Sequence, residues 1–457
     1  MNRPLTTHIS SPQSSPNGHA WISWNGNIVH SYDRMIRPRS EAELVTAVRN
    51  AESVRVVGGG QSSADIAAGT DTLIDLADYN RIVAVDEENR RITVEAGITL
   101  KALMADLESR GWTFPCLPDI DTVTIGGALA TGTHGTSGDA HPLAEYMVSA
   151  RLVTADGSVR EVNASSDIMP ALRTSLGTLG VFSTVTFELV PLYHLRVVEE
   201  PIRDEEWRAR YREWLQDYDF LRIIWLPHTG YGWVIRGERI DADTPVDEKP
   251  APGYVRHRRE VSKFLYKRTV RFPRFTRLAN RLLRRLFFAH RTVEKGTLYG
   301  ATVTKSRGST LELAEWTVAM DRFDELFSEL HRELESRDNR AYAHIPMDIR
   351  FLKADDSWLS AAYSRDTVTV GCVTRNPEHA DEYEAFDLVE RVFLDHGGRP
   401  HWAKRFRATA PELAPQYPRW GDFAALRREM DPTGKFMNEY LSQLLGEATG
   451  DGRRPTS

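Results

Sequence analysis

The run Val56-Val57-Gly58-Gly59-Gly60-Gln61-Ser62 carries residue types suited to holding an anion. Glycine accepts positive φ and has no side chain to keep a ligand away from backbone N–H groups. A β-branched run (Val54, Val56, Val57) that stops at three glycines and turns polar reads as a strand feeding a tight turn. Such turns bind phosphate, pyrophosphate above all, although glycines that merely turn a corner look the same. The glycines do not sit in a G-x-G-x-x-G strand–turn–helix unit, which disfavours a nicotinamide-dinucleotide site. A second glycine-rich passage, also rich in Thr and Ala, runs from Thr124 through His134 to Gly138.

The elements that must position these residues mix short strands with helices. Ser40 before Glu41, Glu43 and the spacing Leu44, Val45, Val48 predicts a capped helix. Strands are expected at 73–76, 82–85, 92–94, 147–154, 159–162 and 185–190, and a helix at 100–110. From about residue 196 the texture changes: charged helices, then β-rich stretches at 299–304 and 367–373. Long helices are expected at 318–337 and 379–395, flanking 341–353. The pattern is α+β, without the regular βαβ alternation of a parallel nucleotide fold.

At 457 residues the chain exceeds one core, and two domains are expected. Cys116 and Cys372 are too few for a disulfide framework or a zinc site, which points to a reducing compartment. Residues 1–20 are polar, so no signal peptide is expected, and no apolar run is long enough to span a membrane. The net charge of −6 is unevenly spread. Segment 256–291 holds 13 Lys and Arg against the single acid Glu260, which leaves the remainder of the chain at −18. Phe264, Phe272, Phe275, Leu278, Leu282 and Leu286 are among the apolar residues interleaved there. A basic amphipathic stretch of this kind suits an anionic membrane surface; it also suits a helical hairpin packed on the protein by its apolar stripe. Nucleic acid is the least favoured partner, since the rest of the chain is acidic and carries no recognition motif.

Five strings stand in a fixed order: Val-Gly-Gly-Gly-Gln-Ser (57–62), Thr-Ile-Gly-Gly-Ala-Leu-Ala-Thr-Gly-Thr-His-Gly (124–135), Leu-Gly-Thr-Leu-Gly-Val (176–181), His-Trp-Ala-Lys (401–404) and Asp-Pro-Thr-Gly-Lys-Phe-Met-Asn-Glu-Tyr-Leu (431–441). With them the chain resembles, over roughly residues 25–445, the sugar-lactone oxidoreductases of the vanillyl-alcohol-oxidase-like flavoproteins. These include L-gulonolactone oxidase, arabinonolactone oxidase, galactonolactone dehydrogenase and alditol oxidase. The resemblance implies a two-domain PCMH-type FAD-binding fold with an α+β cap. A flexible 1–25 would precede an FAD domain at 26–195, a cap at 196–405, a C-terminal return at 406–445 and a disordered tail at 446–457.

The same resemblance assigns residues. Gly58, Gly59, Gly60, Gln61 and Ser62 would hold the FAD pyrophosphate. Gly126, Gly127, Thr131, Thr133, His134 and Gly135 would line the other side of the cofactor, and Gly180 and Val181 its adenosine end. Reduced flavin carries negative charge near N1, so Lys404 is read as its stabilising cation, with His401 against the flavin. Asp348 and Arg350, in the place of the family's Glu-x-Arg pair, share one face of a strand by alternation. Arg350 would orient the substrate oxygen, and Asp348, kept ionised by it, would accept sugar hydroxyls or help take the proton. An ordinary same-face ion pair remains the plain alternative.

Four departures from the family's pattern qualify the expected activity. Gln61 replaces the histidine that carries FAD covalently in L-gulonolactone and alditol oxidases; an amide has no nucleophilic nitrogen, so non-covalent FAD is expected. Asp348 is one methylene shorter than Glu. Gly371 stands about where alditol oxidases carry histidine, against an alditol substrate. Pro118 falls where lactone oxidases tend to carry Gly and dehydrogenases Ala beside the flavin's oxygen-reactive face; its bulk there would hinder O2, so a quinone or cytochrome stands beside O2 as the expected acceptor. The expected enzyme is cytoplasmic, or peripheral on the inner face of the membrane. A relative acting on a lipid-linked or free sugar, like the decaprenylphosphoryl-ribose enzyme, and a membrane-surface module that has lost flavin are the alternatives.

Overall fold

The computed structural model describes residues 13–15, 18–24, 26, 28–247, 261, 264–265, 269, 272, 275–303, 312–336, 346–374 and 384–446. Much of the basic stretch before Phe275 and the tail after Gly446 therefore lie outside the described residues. So do residues 1–12, the start of the expected 379–395 helix, and residues 304, 337 and 341–345 of the other expected elements.

In the first half of the chain, Arg34–Ile36, Thr72–Asp75 and Val54–Val57 form a small parallel sheet. A five-stranded antiparallel sheet follows, built from Val159–Asn163, Met147–Val153, Val181–Glu188, Arg91–Glu95 and Ile82–Asp86 in that order. The helix Glu41–Asn50 begins at Ser40, whose side chain accepts from the Glu43 N–H as its sequence position predicts. In the second half, eight strands make one antiparallel sheet. Its central members are Tyr231–Ile240, Phe220–Leu226, Met347–Leu352, Thr367–Thr374 and Glu312–Ala319.

The end of the chain returns to the first half. The Val54 N–H donates to the Lys435 carbonyl, and Asn438 Nδ2 donates to the carbonyls of Asp65, Ile66 and Ala68. Arg55, buried beneath the glycine turn, donates to the carbonyls of Ile66, Leu176, Gly177 and Phe436. One guanidinium thus ties three separated segments to its own strand. Its burial pushes its pKa down to about 10.

Two expected elements are corrected. Residues 299–303 do not form a strand: Leu298–Thr302 is a short helix, because Thr297 caps it by accepting from the Gly300 N–H. Nor does a helix begin at Val318, which closes the strand Glu312–Ala319 opposite Val368; the helix runs Phe323–Glu335. Val318 fits an apolar position in either period, and only the pairing partner decides between them.

Candidate functional site

A cavity of about 820 Å³ opens between the glycine turn and one face of the eight-stranded sheet. On the first side, Val54–Val57 delivers the chain into Gly58–Ser62. A Cβ at Gly58 would stand 1.9 Å from Thr124 Oγ1, and one at Gly59 would stand 2.3 Å from the Thr122 carbonyl oxygen. Gly60 adopts φ +60°. The glycines are thus required by close approach to 122–124 and by a left-handed turn. The turn also has a second property. Among the described residues, the N–H groups of Gly59, Gly60, Gln61 and Ser62 donate to nothing within the chain. A half-buried row of unused donors fits a pyrophosphate, so the residues present suit FAD. The Gln61 side chain folds back, donating from Nε2 to the Gly59 carbonyl at 3.2 Å.

The turn is locked to the His-Trp-Ala-Lys segment: the Ser63 N–H donates to the Ala403 carbonyl at 2.8 Å. Within that segment His401 and Lys404 line the cavity, while Trp402 is buried among Tyr417, Trp420 and Phe406 and donates to the Leu359 carbonyl. The Ala403 N–H donates to His401 Nδ1 at 3.1 Å, so the neutral ring carries its proton on Nε2. Burial, helped by the charge of Lys404, pushes the His401 pKa down to about 3.

Of the expected cofactor residues, Gly126, Gly127, Thr131, Thr133, His134, Gly180 and Val181 also line the cavity. Gly135 does not. It is buried with its would-be Cβ 2.4 Å from Cys116 Sγ and from the Leu117 carbonyl oxygen, and its own carbonyl faces His134 Nδ1 at 2.9 Å. It packs beside His134, outside the cavity lining where the resemblance would put a cofactor contact.

The opposite wall is the sheet. Residues paired across antiparallel strands share a face, and here Glu315 opposes Gly371, Gly371 opposes Asp348, and Asp348 opposes Ile224. Asp348 and Arg350 do share one face, but they do not act alone. Arg222 donates to both Asp348 oxygens at 2.7 Å, Arg350 Nε donates to Asp348 at 2.8 Å, and Arg350 donates again to Asp119 at 2.8 Å. Burial pushes the Asp348 carboxyl up, but Arg222 and then Arg350 outweigh it and hold the pKa below the usual range. Against the pull of burial, Asp119 and Asp348 keep Arg350 charged. A carboxylate whose lone pairs are taken by two guanidiniums is a rigid anchor and a weak base.

Arg222, Asp119 and Glu315 were not singled out from sequence. Asp119 and Arg222 lie in unremarkable local contexts, and only the strand pairing and the loop around Pro118 gather them at the cavity. Glu315 Oε1 lies 2.8 Å from His134 Nε2, and the His134 and His401 rings are 5.5 Å apart. Ligand atoms of His134, Glu315 and His401 fall within 4.8 Å of one another, the spacing of a metal site. His401, however, uses its Nδ1 lone pair on Ala403 and its Nε2 for the proton, which leaves no lone pair for a metal.

The comparisons with known proteins agree with this geometry. Residues 185–444 match the family model for D-arabinono-1,4-lactone oxidase, and residues 32–163 match that for an FAD binding domain. The chain is 33% identical to L-gulono-1,4-lactone dehydrogenase of Mycobacterium tuberculosis, over 93% of this chain and 99% of that one. It is 30% identical to L-gulonolactone oxidase of Mus musculus (94% and 98%) and 28% identical to alditol oxidase of a Streptomyces species (93% and 99%). Among solved structures, cholesterol oxidase from Brevibacterium sterolicum superimposes with a TM-score of 0.76 at 16% identity, covering 96% of this chain and all of that one, a likeness of fold.

Proposed function

The chain belongs to the aldonolactone oxidoreductase family, and from that premise we infer an FAD-dependent enzyme that oxidises a CH–OH group of a sugar lactone. The observation that carries this reading is one cavity with two unlike walls. Unused backbone donors stand on one side, and the Arg222–Asp348–Arg350–Asp119 network with Lys404 on the other. Bound FAD supplies the acceptor for the hydride that leaves the carbinol carbon. Gly58–Ser62 would hold its pyrophosphate, with residues 126–134 and Gly180–Val181 along its length. Arg350 and Arg222, fixed by Asp348, present fixed positive charge where a substrate oxygen gains negative charge. Lys404, buried in the wall, provides a cation for charge arriving on the cofactor. Residues 26–195 with 406–445 would form the FAD domain, and 196–405 the cap.

FAD is held without a covalent bond in this reading, because position 61 offers an amide. Pro118 lines the cavity and favours an acceptor other than oxygen. The helix Thr276–Phe287 supports a membrane-bound acceptor such as a quinone. Its Ala279 and Leu283 line the cavity, while Leu278, Leu282 and Leu286 are 63%, 40% and 52% exposed, with Phe264, Phe272 and Phe275 also outward. One helix thus packs one apolar stripe inward and shows another to the outside, flanked by arginines, a pattern suited to the inner face of an anionic membrane. No helix among the described residues is long and apolar enough to cross a membrane.

The test is anaerobic titration of the purified yellow protein with aldono-1,4-lactones. Bleaching by a lactone is expected, followed by slow recovery in air and full release of flavin on acid denaturation. A colourless protein, or one bleached by no lactone, overturns the enzymatic reading; flavin retained on the acid precipitate overturns non-covalent binding. Co-sedimentation with anionic vesicles at low salt is expected and should weaken when Leu278, Leu282 and Leu286 become Ser; equal recovery in the supernatant for both proteins removes the membrane surface.

A further inference from the structure

The sheet row Glu315–Gly371–Asp348 contains an acid that the reaction described above leaves unused. Glu315 is a buried residue that lines the cavity. Burial pushes its carboxyl up, but the pairing with His134 outweighs it and holds it well below the usual carboxylate range. Its Oε1 pairs with His134 Nε2 at 2.8 Å, whereas Oε2, the oxygen on the Gly371 side, accepts from no donor among the described residues. A charged acceptor left without a donor in a buried site is costly, and it calls for a donor from outside the chain. Asp348, two strands away on the same face, has no such vacancy, because Arg222 and Arg350 fill it.

Between the two acids lies Gly371. A Cβ placed there would sit 3.5 Å from Asp348 Cβ and 4.0 Å from Glu315 Oε2, which is ordinary contact. The glycine is therefore not demanded by backbone strain or by close approach, unlike Gly58 and Gly59. What it supplies is an open notch on the cavity floor with the Glu315 carboxylate along one edge. We propose that this notch is a hydroxyl subsite: Glu315 accepts hydrogen bonds from hydroxyl groups on the lactone's side chain, and Gly371 determines which lactones enter by leaving the space for them. The ligand class is a neutral lactone bearing a polyol side chain. Hydroxyls are the donors that a carboxylate can take while Arg222, Arg350 and Lys404 attend to the reacting oxygen and the cofactor.

This proposal rests on the lactone-oxidising reading, and its test separates the two. Flavin bleaching is followed anaerobically with an aldono-1,4-lactone and with an analogue that keeps the ring hydroxyls but lacks those of the side chain. Wild type should show half-saturation at roughly tenfold lower concentration for the full lactone, the value of about one charge-assisted hydrogen bond. In Gly371→Ala and in Glu315→Gln that preference should shrink to near unity, with the bleaching rate at saturation for the analogue kept within about twofold. Gly371→Ala is expected to fold and to hold flavin, since its methyl group meets only ordinary contacts. Glu315→Gln removes the charge at constant shape, and if it fails to hold flavin the glycine variant decides alone. A wild-type preference that persists unchanged in Gly371→Ala overturns the subsite while leaving lactone oxidation intact. If no lactone bleaches the wild-type flavin, the underlying functional reading fails instead.

Discussion

The two walls of the cavity are built on different physical plans. The glycine turn is made from consecutive residues, and its working parts are backbone N–H groups whose direction is set by local conformation. The sheet wall takes Arg222, Glu315, Asp348 and Gly371 from four strands, and its working parts are side-chain charges that exist only in combination. The first plan survives almost any change of side chain but no added Cβ. The second tolerates backbone variation but fails when Arg222, Asp348 or Arg350 loses its charge, because a buried partner is then left uncompensated. Division of labour follows: the turn should govern whether flavin is held, and the sheet whether flavin is reduced.

The largest test of that division is Arg222→Ala. It should retain flavin and lower the rate of lactone-driven bleaching about 10²- to 10³-fold, as expected when a preorganised charge is removed from the reacting centre. Arg222→Lys should recover only part of the rate, since a single ammonium cannot replace two parallel bonds to Asp348. Stopped-flow absorbance measures both, and loss of flavin rather than of rate in Arg222→Ala would break the comparison.

A smaller effect is expected on the other wall. Gly59→Ala forces a methyl group toward the Thr122 carbonyl oxygen and should weaken FAD binding at least about tenfold, by fluorescence titration of the apoprotein. The fraction that still holds flavin should be reduced by lactone at close to the wild-type rate. A normal affinity with slowed reduction is the result that contradicts the division.

The smallest effect concerns the seam between the halves, where Ser357 Oγ donates to Glu145 and Ser360 Oγ donates to Asp355. Burial, and then the charge of Glu145, push Asp355 up to about 8. The folded chain therefore keeps a proton that the unfolded chain releases near pH 4. The stability this lends is complete below about pH 4 and is lost as pH rises toward 8. Asp355→Asn should flatten that decline and raise Tm by a few degrees at pH 8.5 relative to wild type, with little change in bleaching rate. Parallel Tm–pH profiles for the two proteins would place the seam's titration elsewhere.

How much of this was legible in the sequence follows the same line. The turn, the 124–135 passage and the His-Trp-Ala-Lys segment were all visible as strings, because each is local and its residue types are dictated by close approach or by position beside the cofactor. The pairing of Asp348 with Arg350 followed from strand alternation, and the cap of Ser40 from its position before two glutamates. Arg222 and Asp119 were invisible: an Arg in an apolar strand and an Asp in a loop carry no local mark. The short helix Leu298–Thr302 was misread for a related reason. The β-branched run Thr302-Val303-Thr304 favours a strand, but the Thr297 cap and the packing of the helix beside the edge strand Thr292–Thr297 decide otherwise.

The sequence by itself determined an α+β flavoprotein of the lactone-oxidoreductase kind, and Gln61 removed the covalent tether, since the missing nucleophile is a property of one residue type. Only the tertiary structure decided that Asp348 is held by two arginines rather than by Arg350 alone. It also decided that Gly135 packs against Cys116 while Gly371 lies between the Asp348 and Glu315 carboxylates. These are properties of distances between strands, and no single strand's sequence contains them.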